Sequence, residues 1–168
     1  AMRPLSRSLL LMNTVAILHE YHVLPALSEN KIVVCDSYHY RLCAKEMILN
    51  PSAGDLFRTF AAHLRPPDLV IWLDVDCATA FRRKGGNLSP FEYLGEPTER
   101  GFQLLQDKVK STVTEMIGRT PIAYLNGDQP VEASVRELMV LIEAGAYDKT
   151  ASHQRDSLVH LINAEPGL

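Results

Sequence analysis

Residues 31–46, KIVVCDSYHYRLCAKE, decide how the chain is read: an apolar run stops at an acid and turns polar, aromatic and basic. Ile32, Val33, Val34 and Cys35 follow one another without polar alternation. That pattern predicts a strand buried on both faces, as in parallel sheets covered by helices. Asp36 ends the run. In open α/β sheets ligands bind outside the carboxyl ends of the strands, so this carboxylate is placed either for phosphate or metal chemistry or as the cap of the next helix. Arg41 and Lys45 follow one helical turn apart and put two cations on one face near that end.

Downstream, a helix to Leu49, a loop over residues 50–54 and a helix from Asp55 to Leu64 lead to Arg65-Pro66-Pro67-Asp68, an extended turn. Leu69 to Val75 is a second continuous apolar run, with Asp74 and Asp76 at its end. Two such strands separated by helix imply a right-handed parallel crossover. A brief helix, Ala78 to Arg83, runs into Arg82-Arg83-Lys84 and then Gly85-Gly86. The cationic triplet is either a solvated helix end, where positive charge is favourable, or a lid that closes over phosphates. Ser89 and Glu92 have capping-box spacing, but Gly95 and Pro97 stop a long helix there. Helical periodicity returns from Thr98 to Ile117, a third strand is predicted at Pro121 to Leu125, and Val131 to Ala144 forms the last amphipathic helix.

Upstream, Pro4 to Leu27 reads as one long helix with apolar residues on more than one face, which predicts burial against a second copy in a symmetric dimer. His19 and His22, with no acid or cysteine set nearby, read as ordinary helix residues. The 168 residues form one α/β domain over 1–146, with a tail of unknown role over 147–168. A formal charge of -3 gives no bulk attraction to nucleic acid or anionic membrane, so an anionic ligand needs a local basic cluster. Cys35, Cys43 and Cys77 lack metal-type spacing and suggest a reducing, cytoplasmic setting. The apolar stretch from Leu9 to Leu27 is too polar for a bilayer segment.

The element order, the run PPDLVIWLDVD with Phe81 and Arg82, and the strand leading to NGDQPVEASV resemble the thymidylate kinase family of nucleoside monophosphate kinases, from about Leu5 to about Ile142. The resemblance implies a P-loop-kinase-like parallel sheet flanked by helices, a dimer through Leu5 to Leu27, and ATP- and Mg²⁺-dependent phosphoryl transfer to a (deoxy)nucleoside monophosphate. It also implies roles: Asp36 near the metal and the substrate phosphate, and Tyr38, Arg41, Lys45 and Lys84 on the substrate. Arg82 and Arg83 become lid cations facing the transferred phosphoryl, and Asn126, Gly127 and Asp128 the adenine-side loop.

The departures bear on activity. Nothing in the chain matches the phosphate-binding loop GxxxxGK[ST], whose backbone N–H groups would cradle the phosphates. The family's Asp-Arg-Tyr/His becomes Asp36-Ser37-Tyr38, and its helix arginine near the base becomes Val15. The resemblance implies a further strand between the two apolar runs; without it, Ile32–Cys35 and Leu69–Val75 are expected to pair directly, and the chain as given is expected to be inactive. The alternative is a non-catalytic relative acting as a dimerising or nucleotide-binding module.

Overall fold

The computed structural model describes residues 4–145, so the tail proposed over 147–168 lies outside the described residues. Two compact units divide the chain: Ala1–Arg65 with Asp107–Met116, and Pro66–Gln106 with Ile117–Leu168.

The first unit opens with helix α1, Pro4–Leu18, which passes into a π turn, His19–Val23, and then α2, Leu24–Ser28. The single helix expected over Pro4 to Leu27 is therefore helical throughout but changes its winding. Pro25 explains the change: it has no N–H to donate and its ring crowds the carbonyl four residues back. The chain widens just upstream, where the Leu24 N–H reaches the His19 carbonyl. Helices α3, Tyr40–Leu49, and α4, Gly54–Ala62, are joined by a 3₁₀ turn at Pro51–Ala53. Cys43, Ala53 and Phe57 form the core here, with Met12, Met47, Phe60 and Met116 packed against them. Ser8 and Glu46 are also buried: the Glu46 carboxylate accepts the Ser8 hydroxyl at 2.8 Å and pairs with Arg7 at 2.5 Å, locking α1 to α3. Much of the α1 surface stays open, with Leu9, Leu10, Ile17 and Leu18 exposed and Tyr21 of the π turn 70% exposed.

The strand expected at Ile32–Cys35 does not form. The segment is irregular, with Ile32 59% and Val34 71% exposed, and its backbone groups make no hydrogen bond among the described residues. An apolar run becomes a strand only where a neighbour supplies its ladder of hydrogen bonds, and no described segment does so.

In the second unit, β1, Val70–Asp74, pairs in parallel with β2, Ile122–Asn126, in the register Val70 to Ile122 through Asp74 to Asn126. This two-stranded sheet, flanked by helices, replaces the direct pairing expected between Ile32–Cys35 and Leu69–Val75. The crossover carries α5, Cys77–Arg83, and α6, Glu99–Ile117, whose Asp107–Met116 portion belongs to the first unit; α7, Val131–Glu143, follows β2. Phe102, Leu105, Leu125 and Leu141 are buried in this unit, Phe102 and Leu105 at the helical spacing that the sequence predicted. Asp76 caps α5 by accepting the Thr79 N–H at 3.0 Å, and Thr98 caps α6 by accepting the Gly101 N–H at 3.2 Å.

Candidate functional site

The acidic end of the irregular segment forms a tight turn. The Tyr38 N–H donates to the Asp36 carbonyl at 2.5 Å, and Ser37 and Tyr38 both take left-handed backbone angles, φ 54° and 42°. Two consecutive non-glycine residues in that region cost free energy, and such strain concentrates at functional sites. The turn is held from outside: the Tyr38 hydroxyl donates to the Arg65 carbonyl at 3.2 Å, while the Arg65 N–H donates to His19 Nε2 at 3.1 Å. That nitrogen accepts, so His19 carries its proton on Nδ1 in this arrangement. Burial pushes the Tyr38 phenol up to about 12, helped by Cys35 and Tyr40 and opposed by Arg65, so it remains a donor at neutral pH.

Asp36 is exposed, and its carboxylate accepts the Ser37 hydroxyl at 3.2 Å. Arg41 and Lys45 are half-buried one turn apart on α3, and neither stands free, since each already interacts within the chain. Asp36 and Tyr38 also line a cleft of about 300 Å³, whose other wall includes Val15, Leu18 and Val23. Its volume sits at the small end of ligand pockets, and its lining is mainly apolar. Val15 of α1 thus meets Asp36 and Tyr38, which are distant from it in sequence, at one cavity.

The adenine-side loop and the lid cations lie in the second unit. Gly127 donates its N–H to the Asp74 carbonyl at 2.8 Å, and a Cβ there would sit 2.3 Å from Val75 Cγ2 and 2.8 Å from Leu73 Cγ. Only glycine lets the loop lie this close to the end of β1. The Asp128 N–H goes to Asn126 Oδ1 at 2.8 Å. Arg83 then closes on the loop, donating to the Gly127 carbonyl at 2.9 Å and pairing with Asp128 at 3.4 Å. Arg82 instead donates to the Thr79 hydroxyl at 2.8 Å, which in turn donates to Asp76. Lys84 is paired with Glu92. The three cations of the triplet therefore have three different partners.

Among the described residues, no three His, Cys, Asp or Glu side chains form a metal-binding group. Asp36 fits Mg²⁺ only as a single exposed carboxylate, the kind of ligand that holds this ion together with phosphate oxygens and water, where it neutralises phosphate charge. The loop at Asn126–Asp128 spends the Gly127 and Asp128 backbone donors within the chain, on the Asp74 carbonyl and on Asn126 Oδ1. Sequence reasoning missed Glu46, 38 residues from its partner Ser8, because nothing local signals such a pair. It found the spacing of Ser89 and Glu92 but gave it no task.

No protein-family model matches the chain. The thymidylate kinase of Chlamydia felis is 26% identical over 124 residues, covering 70% of this chain and 58% of that protein. Thymidylate kinases of two Dehalococcoides mccartyi strains are 35% identical over 134 residues, covering 78% of this chain and 62% of theirs. This chain resembles thymidylate kinases. It spans about three fifths of the length of these curated relatives. In this thymidylate-kinase-like chain no helix among the described residues is long and apolar enough to cross a membrane.

Proposed function

We propose that this chain is the acceptor side and lid of a thymidylate-kinase-like protein, binding a (deoxy)nucleoside monophosphate. In the complete parent the reaction would be phosphoryl transfer from ATP, while the chain as given binds the acceptor without turnover. The observation that carries the reading is the cleft, which Val15, Asp36 and Tyr38 line together. Its apolar lining suits a base and sugar, Tyr38 offers a ring face, and Arg41 and Lys45 on α3 would exchange their present partners for the phosphate. Val15 supplies no hydrogen bond to a base, so discrimination among pyrimidines is relaxed.

Calorimetry with thymidine monophosphate tests this. Weak binding is expected, and Arg41→Ala should cost roughly ten- to a hundredfold, as for the loss of a charge-assisted contact of about 1.5–3 kcal/mol. Unchanged affinity in that variant would remove Arg41 from the site. Transfer of phosphate from ATP by this chain, abolished by Asp36→Ala, would show instead that it is active.

A further inference from the structure

The loop after the double glycine is closed by one side chain. Glu92 pairs through Oε1 with the Lys84 ammonium, and its Oε2 accepts the Ser89 N–H at 2.9 Å; the Glu92 N–H returns to the Ser89 carbonyl at 3.0 Å. Both side chains are withdrawn from solvent, Lys84 to 26% and Glu92 to 14% exposure. Lys84 is fixed at its backbone to the end of α5, its N–H donating to the Ala80 carbonyl at 3.2 Å. Between it and the loop stand Gly85 and Gly86, with φ 62° and 71°. A Cβ at Gly85 would meet nothing within 4 Å, and one at Gly86 only the Phe81 ring at 3.9 Å. These glycines are required by their backbone angles and not by crowding, and their turn is closed by the Gly85 N–H on the Arg82 carbonyl at 2.9 Å and by the Asn87 N–H on the Lys84 carbonyl at 3.3 Å, the bond that a turning loop gives up.

We propose that Glu92 is an autoinhibitory latch: it masks the Lys84 ammonium, and a polyphosphate anion opens the loop by displacing the carboxylate. The inference rests on the reading of this chain as a nucleotide-phosphate binder. Rotation about Gly85–Gly86 carries Glu92 away while Lys84 stays on α5, in sequence with Arg82 and Arg83. The displaced carboxylate keeps its bond from Ser89, so only Oε1 must be rehydrated. A polyphosphate brings several charges against the single charge of Glu92 and wins the exchange once the loop turns.

The test titrates inorganic tripolyphosphate by calorimetry at fixed ionic strength. Glu92→Gln keeps an oxygen for the Ser89 N–H but gives up the charge that holds Lys84, and should bind about tenfold tighter than the parent chain. The gain should vanish in Glu92→Gln/Lys84→Met. If the parent chain shows no binding, measurable binding by Glu92→Gln supports the latch. Equal or weaker binding by Glu92→Gln, or no binding by either protein, overturns it. Should Glu92→Gln fail to fold, Lys84→Met decides: weaker binding than the parent supports Lys84 as the masked ligand, and unchanged binding overturns it. The thymidine monophosphate titration with Arg41→Ala is independent, so failure of the acceptor reading and failure of the latch are separately visible.

Discussion

His39 shows how one residue can set the acid response of the first unit. It is 3% exposed, its ring centroid lies 4.6 Å from that of Tyr38 and 4.2 Å from that of Tyr40, and its Nδ1 has no hydrogen-bond partner among the described residues. Burial, reinforced by His19, pulls its pKa down to about 4. Between that value and an ordinary histidine value of about 6.5 the unfolded chain takes up a proton that the folded chain refuses. Stability must fall as pH drops through this window, by roughly 1–3 kcal/mol. Urea melts at pH 7 and pH 4.5 should show the loss, and His39→Gln should flatten it; an unaltered slope in that variant would assign the acid response elsewhere. Glu92 titrates in the opposite sense. Burial raises its pKa, but hydrogen bonds from Lys84 and Ser89 outweigh this and hold it at about 2, so its contribution is full above the ordinary carboxylate range and fades only toward that value.

At the scale of elements, Gly127 couples β1 to the loop after β2. Gly127→Ala would drive a methyl group into Val75 and Leu73, and overpacking of this kind costs about 1–3 kcal/mol. Thermal melts should show that loss, and adding Val75→Ala should recover part of it by removing the nearest atom; no recovery would mean that the backbone, and not the side-chain contact, carries the strain. The same elements show what the sequence made legible. Leu69–Val75 and Pro121–Leu125 were readable as strands because each finds the other, and α6 and α7 because their apolar spacing matches the face they bury. Ile32–Cys35 has equally strong strand chemistry and fails, since pairing is a property of two segments and only one can be seen in a run of four residues. The π turn was unreadable for a related reason: Pro25 announces a disturbance but not whether the helix will break, kink or widen. In the candidate site, Asp36 and Tyr38 were visible from their place after the apolar run. Arg83 holding Gly127 and Asp128 was not, because the two segments are 44 residues apart.

For the whole molecule, the exposed apolar residues of α1 and the π turn favour a symmetric dimer, as expected from a helix with more apolar surface than its own unit covers. Light scattering at micromolar concentration should give twice the 18.8 kDa chain mass, and Leu18→Glu, at a position 50% exposed, should return it to a monomer without unfolding it. A monomeric parent chain would rule the dimer out. The open run at Ile32–Cys35 has a different consequence, for solubility. Four β-prone residues without proline or charge, presenting unpaired backbone to solvent, are a template on which further copies can stack into fibrillar aggregates. Lys31 and Asp36 flank that run with opposite charges and act as gatekeepers, so Asp36, whatever it does for a phosphate, also guards the chain against self-association in concentrated solution.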